Sequence, residues 1–245
     1  MIYLFSGMII GIVMGLTGAG GALIAIPLFI QFMGMDLKEA SVYSLIAVVV
    51  ASLLNFVAQR KATQYRTGLV IVAVSAVASF LTAPYKEILP ALFVAILLAI
   101  VSVYALYSVW VPLKVTSEVR SSPETNVVLS VVVGLVLGAL TTFTGLGGGV
   151  LMLPIFLAFF HYSQPQSVAT SLFAVGLSSL ASLLIQINRG IQFDAKIDLP
   201  FLVVGILISV FILKQFVKLM SEKAVSRTRQ VVFTLVVILA LLKIF

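Results

Sequence analysis

The chain contains no cysteine, which excludes disulfides, thiolate catalysis and cysteine-ligated metals. Charge is scarce: 9% of residues are Asp, Glu, Lys or Arg, where an ordinary soluble domain carries about 25%. There is one histidine, His161, and one histidine does not make a metal site. No acidic, basic or histidine side chain falls at the centre of an apolar segment. The intramembrane carboxylate or imidazole that proton-coupled carriers use is therefore missing, and Asp36, Glu39, Glu87, Asp194 and Asp198 are peripheral. No carboxylate pair, His–Glu metal motif or Ser–His pairing suggests catalysis, so neither an enzyme nor a cofactor is expected. Strongly polar sequence is also short: its longest stretch is 114–126.

What the chain has is apolar surface. Hydrophobic residues make up 62% of it and the mean hydropathy is +1.24. Lipid, not water, accommodates such a composition. At about 20 residues per crossing the chain has room for roughly seven to nine spans. Apolar segments run over 2–33, 41–58, 67–84, 88–110, 127–160, 167–187, 198–217 and 230–244. They lack the alternation of barrel strands, and lipid forbids unsatisfied backbone, so helices are expected. The fold class is thus an all-α, polytopic helical bundle. The net charge of +7 does not point to nucleic acid, because the basic residues sit at span ends and in short loops, as membrane topology signals do. The opening residues Met1 to Phe5 run directly into apolar sequence without a basic leader or small-residue cleavage site, so no removable signal peptide is read.

Segments one and five are too long for one simple crossing, and glycines interrupt both. The first reads Gly15-Leu16-Thr17-Gly18-Ala19-Gly20-Gly21-Ala22, then Pro27; the second reads Thr142-Phe143-Thr144-Gly145-Leu146-Gly147-Gly148-Gly149, then Pro154. Glycine costs a helix interior about 1 kcal/mol relative to alanine, so both segments should unwind there. A shift of 127 positions superposes the two without a gap, bringing Thr17 onto Thr144, Gly18 onto Gly145, Gly20 onto Gly147, Gly21 onto Gly148 and Pro27 onto Pro154. The same shift carries Ser44 onto Ser171, Ser52 onto Ser179 and Gln59 onto Gln186. Matched Thr, Gly, Pro and Gln on one offset mark an internal duplication: repeat one at 1–112, a linking loop at 113–126 and repeat two at 127–245.

Broken helices at membrane depth are tolerated where they line protein or a watered cavity, and paired breaks are a transporter device. A helix N-terminus presents unpaired N–H groups and partial positive charge, so it binds anions without a basic side chain. The amides of Gly20, Gly21 and Ala22, and of Gly147, Gly148 and Gly149, are the expected anion donors, with hydroxyls from Thr17 and Thr144. Gly11 with Gly15, and Gly134 with Gly138, suit close helix packing instead. A second constellation on segments two and six comprises Ser41, Ser44, Ser52, Asn55 and Gln59, against Thr170, Ser171, Ser178, Ser179, Ser182 and Gln186. Of these, Ser44, Gln59, Thr170, Ser171 and Gln186 join the candidate binding set; interhelical hydrogen bonding is the competing reading.

Orientation follows from charge. If segments one and five cross fully, the repeats are parallel and the basic residues divide evenly. If they are re-entrant hairpins, each half has three crossings and the repeats are inverted. Ten of the 15 Lys and Arg residues then share one side: Arg60, Lys61, Arg66, Lys114 and Arg120, with Lys214, Lys218, Lys223, Arg227 and Arg229. The positive-inside rule puts that side in the cytoplasm and favours the inverted arrangement. An electropositive vestibule at Arg60, Lys61, Arg66, Arg189 and Lys196 is the alternative to simple interface anchoring.

The paired Thr-Gly-x-Gly-Gly-x5-Pro motifs at 17–27 and 144–154, the two related halves and the chain length resemble the TauE/SafE family of permeases, the sulfite exporter family. Thr170-Ser171 also fits that pattern; the first half departs from it with Tyr43-Ser44. The resemblance implies a multi-pass plasma-membrane permease for small sulfur-containing anions such as sulfite or organosulfonates. Its partners would be the anion and the lipid bilayer, with an oligomer compatible with this reading. A passive anion channel and a non-transporting membrane scaffold, with glycines that serve packing only, are the alternatives.

Overall fold

The computed structural model describes residues 2–17, 21–86, 88–110, 126–145, 147, 149–190 and 199–219, with a few positions between 227 and 234. The described backbone is predominantly helical and contains no strand. In chain order the helices are α1 (Ile2–Thr17), α2 (Gly21–Met33), α3 (Leu37–Gln59), α4 (Tyr65–Thr82), α5 (Ala91–Trp110), α6 (Val127–Thr144), α7 (Gly149–Ala158), α8 (Gln164–Asn188) and α9 (Leu199–Leu219). Short 3-10 turns, Arg60–Ala62 and Ala83–Lys86, follow α3 and α4. Most of the expected segment 230–244 and of the loop 113–126 lies outside the described residues.

Both long segments are divided where the glycines cluster: α1 stops at Thr17 and α2 starts at Gly21, while α6 stops at Thr144 and α7 starts at Gly149. Local chemistry sets the ends. Asp36 caps α3 by accepting a hydrogen bond from the Glu39 N–H (2.7 Å), and Asn126 caps α6 by accepting one from Leu129 (3.1 Å). Gly145 ends α6 in the left-handed conformation, φ 70°, with its N–H donating to the Thr141 carbonyl at 3.0 Å. Pro27 and Pro154 lie inside α2 and α7, beyond the breaks.

Among the described residues four helical stretches are long and apolar enough to cross a membrane: Glu39–Ala62, Tyr65–Lys86, Val127–Thr144 and Gln164–Asn188; Ile2–Gly15, Ile24–Met33, Leu92–Val101 and Leu199–Leu213 are shorter. The number is below the seven to nine expected, partly because the glycine breaks cut two long segments into arms.

Burial follows the logic of lipid. Phe80, Phe211, Val57 and Leu81 are exposed, whereas Ser41, Ser44, Ser52, Thr67, Ser75, Ser79, Thr141, Ser178 and Ser182 are buried. With no hydrophobic drive between helices in lipid, association rests on close packing and interhelical hydrogen bonds. Ser75 bonds Ser178 across α4 and α8 (2.5 Å), and the Ser79 hydroxyl donates to the Gly138 carbonyl (3.1 Å).

The helix pairings are reciprocal between the two halves. α1 lies against α9 as α6 lies against α4; α2 lies against α3 as α7 against α8; α3 and α8 cross at the centre. Glycines make the two outer contacts. A Cβ on Gly7 would overlap the Leu202 carbonyl oxygen, and one on Gly134 would lie 3.0 Å from the Ile71 carbonyl oxygen. Gly11 packs on Ile206 and Ser209 as Gly138 packs on Ser75 and Ala78. Gly11, Gly134 and Gly138 thus have the packing role expected of them, and Gly7, not singled out from sequence, is the partner of Gly134 at the 127 offset. These contacts also place Leu202 where Ile71 stands and Ile206 where Ser75 stands, an offset of 131. The fourth helix of the second half, α9, is therefore displaced by four residues from the duplication read in the first two segments.

Chain direction follows from the same contacts. Along α4 and α6, Ile71 meets Gly134 and Ser75 meets Gly138, so these helices run parallel. Along α4 and α8, Gly68 meets Phe173 and Ser75 meets Ser178, again parallel. Helices α6 and α8 therefore run the same way, and the intervening α7 must bring the chain back. Segment five is therefore a helical hairpin that reverses direction between α6 and α7. In the first half, Gly15 at the end of α1 meets Asn55 near the end of α3, and α2 then returns along α3, with Phe29 packed edge-on against Tyr43.

Candidate functional site

The tip of the α6–α7 hairpin is inserted between α3 and α8. Gly145 presses on the start of α3: a Cβ there would overlap the Ser41 carbonyl oxygen and lie 2.8 Å from the Ser41 Cα. The Ser44 hydroxyl lies 2.7 Å from the Gly145 carbonyl oxygen and 2.8 Å from that of Ser41, tying hairpin to helix. Gly147 adopts φ 66°, and a Cβ on it would lie 2.7 Å from Ser179 Oγ, 2.8 Å from Val48 Cγ1 and 3.3 Å from Val175 Cγ1. Only glycine combines the left-handed turn with this closeness. Val48 and Val175 are equivalent at the 127 offset, so the turn sits at the centre of the α3–α8 crossing.

Two features give this centre chemical potential. Gly149 begins α7 and is buried, and the first turn of a helix carries N–H groups without helical partners. Ser179 Oγ, fully buried and aimed at Gly147, has no hydrogen-bond partner among the described residues. A buried hydroxyl without a partner is costly, about 1–3 kcal/mol, and such groups call for an explanation.

The other expected residues are distributed unequally. Ser44 is at the hairpin tip, as stated. Thr144, expected as a hydroxyl donor to the gap, donates to the Leu140 carbonyl of its own helix (2.6 Å), the usual satisfaction of a helical threonine. Ser171 likewise donates to Val168 (3.0 Å). Thr170 is not brought to the turn: its Oγ1 accepts from the Gln64 N–H (3.0 Å) at the far end of α8, where it anchors the start of α4. Gln59 is also remote. It lines a groove of about 720 Å³ with Arg60, Lys61, Pro165, Leu207 and Phe211. Gln186 is buried near the end of α8, where its Nε2 donates to Ser182 Oγ (3.3 Å) and its Oε1 accepts from Lys86 Nζ (2.6 Å). Thr17, Gly21 and Ala22 end α1 and begin α2, with side-chain surroundings outside the description; Gly20 and Gly148 lie outside the described residues.

Sequence reasoning passed over Lys86 and ranked Ser41 and Ser179 below their neighbours. Ser179 had a usable signal, since the 127 offset pairs it with Ser52 on the face shared with Ser44. Lys86 had none, because it stands at a segment end among ordinary interface residues.

No curated protein and no solved structure matches the chain significantly. The family model described as sulfite exporter TauE/SafE matches residues 3–243, nearly the whole length. That family consists of membrane transporters, not enzymes, and the apolar helices and inward-facing hydroxyls accord with an integral membrane protein. The chain belongs to the sulfite exporter TauE/SafE family.

Proposed function

We propose that this chain carries small sulfur-containing oxyanions, sulfite or organosulfonates, across the plasma membrane, holding the anion at the glycine turns by backbone amides and hydroxyls. The observation that carries the reading is the α6–α7 hairpin tip, buried against α3 and α8, with the start of α7 and the partnerless Ser179 hydroxyl both beside Gly147. An oxyanion there would receive amide hydrogens at a positive helix end and a hydroxyl already desolvated. The repeats, 1–112 and 127–245, are read as inverted, about an axis in the membrane plane. In support, the equivalent helices α3 and α8 run antiparallel: Ser41 and Gln186 share Lys86 at one end, Leu53 meets Gly176, and Gln64 meets Thr170 at the other. Inversion would bring the two hairpins to the centre from opposite faces.

Counterflow of radiolabelled sulfite or a short organosulfonate in proteoliposomes tests the proposal. Saturable uptake, competed by the other sulfur anions and absent from empty liposomes, is expected. Absence of saturable flux across that anion panel would overturn it.

Ser179→Ala separates binding from stability. Losing an unpaired buried hydroxyl is expected to leave thermal stability unchanged or raise it by about 1 kcal/mol. Anion affinity should fall about tenfold, the loss of roughly one charge-assisted hydrogen bond. Thermal shift with and without sulfite reads both quantities; unaltered sulfite stabilisation would remove Ser179 from the site.

A further inference from the structure

The groove at the end of α3 is amphiphilic. It encloses about 720 Å³ between the last turns of α3, the start of α8 and the middle of α9. Leu54 and Val57 of α3 and Leu207, Val210 and Phe211 of α9 form its walls. Val57, Leu207 and Phe211 are exposed. In a membrane bundle such residues face acyl chains, which are as apolar as they are. The polar lining is confined to three consecutive residues at one end, Gln59, Arg60 and Lys61.

Local structure fixes that end. Helix α3 closes at Gln59 and passes into the 3-10 turn Arg60–Ala62. The Arg60 carbonyl accepts from the Thr63 N–H (3.3 Å) and from the Tyr65 hydroxyl (3.3 Å). The turn is thereby held while both basic side chains remain exposed. Neither has an ion-pair partner among the described residues. The described carboxylates, Asp36 and Glu39, stand at the opposite end of α3, about 30 Å away along the helix.

We infer that this groove binds an anionic phospholipid from the surrounding leaflet, its phosphate on Arg60 and Lys61 and one acyl chain along the walls of α3 and α9. The planar fork of Arg60 suits two phosphate oxygens, and the Lys61 ammonium adds a point charge. The Gln59 amide supplies donors for glycerol or ester oxygens. Basic pockets between membrane helices recognise lipid headgroups in this way. The apolar walls give no preference among acyl chains, because a chain leaves one apolar surrounding for another. Selectivity therefore rests on headgroup charge, anionic over zwitterionic. A watered vestibule for a small free anion fits less well, because the walls are aliphatic or aromatic and open toward lipid. A bound lipid would also join α3 to α8 and α9 and so stabilise the bundle. The inference is independent of which anion the chain carries.

Tryptophan quenching tests it. Trp110→Phe removes the one native tryptophan, and Phe211→Trp then places a reporter in the groove. This protein is reconstituted in phosphatidylcholine vesicles containing increasing brominated phosphatidylglycerol or brominated phosphatidylcholine. The relative binding constant of the brominated phosphatidylglycerol should be roughly 25-fold the higher, about fivefold for each basic residue. Arg60→Gln combined with Lys61→Gln should abolish the preference, and Lys61→Arg should keep it. Arg189→Gln, at the other end of α8, should leave it unchanged, which a diffuse attraction to basic surface would not. In detergent, phosphatidylglycerol should raise the thermal transition of the wild-type chain more than phosphatidylcholine does, a measurement that needs no reporter. Equal effects of the two lipids on quenching and on the transition, or a preference unaltered in the folded double variant, overturn the site. Relief of the quenching by free sulfite also overturns it, because the groove would then be a vestibule for the free anion.

Discussion

Gly147→Val is expected to reduce sulfite flux at least 100-fold, the scale on which a displacement of about 1 Å disables a positioned site. Two independent effects act at this residue. Its φ of 66° is one that a β-branched residue resists, at a cost of about 1–2 kcal/mol. Its Cβ would also stand 2.7 Å from Ser179 Oγ and 2.8 Å from Val48 Cγ1, so the hairpin tip must back away from the α3–α8 crossing. The helices themselves keep their other contacts, because α6 is held on α4 by Gly134 and Gly138. The variant should therefore purify as a monodisperse, helical protein, and size exclusion with circular dichroism checks that. Thermal stabilisation by sulfite should vanish together with flux. A folded Gly147→Val chain with wild-type uptake would mean that the anion passes elsewhere and that this turn serves packing alone.

The position of that turn was legible in the sequence; its surroundings were not. Glycine clusters at 15–22 and 142–149 announce an interruption because helix propensity is local, and the breaks fall there. Hydropathy does not record which way a chain leaves a break, so the reversal through α7 became visible only from paired contacts along α4. The offset of 127 holds through two segments and then moves to 131, because a short loop can absorb four residues without disturbing the helices it joins. Thr170 and Ser171 illustrate a further limit. They are adjacent in sequence and both buried, yet one anchors the start of α4 and the other satisfies its own helix. Periodicity identifies a polar face, while the depth of each residue on that face depends on register against a neighbour. Charge gave least of all: Lys86 is indistinguishable from an interface anchor until Ser41 and Gln186 are seen to converge on it.

Gly138→Leu should do more damage to the fold than Gly147→Val, although Gly138 is an ordinary helical residue. A Cβ there would overlap the Ser75 carbonyl oxygen and lie 2.7 Å from the Ala78 Cβ. Both obstacles belong to the body of α4, not to the end of a flexible side chain. Accommodating a Cβ means separating α4 from α6, and a leucine widens the gap further. Separation would also strain the hydrogen bond from Ser79 to the Gly138 carbonyl and the Ser75–Ser178 pair that links α4 to α8. Interior overpacking costs typically 1–3 kcal/mol, and the two hydrogen bonds add about 0.6 kcal/mol each in a membrane bundle. The expected outcome is loss of most folded protein in detergent, read as low monodisperse yield and a thermal transition lowered by several degrees. Gly176→Ala is the matched comparison. Its new Cβ would meet Leu53 Cδ2 at 3.0 Å and Leu53 Cγ and Ser52 Cβ at 3.3 Å, tight contacts without a backbone overlap, so the transition should move far less than in Gly138→Leu. If both variants are equally stable, α4 and α6 are not held at the close approach that glycine permits, and the packing role of the Gly134–Gly138 pair fails with it.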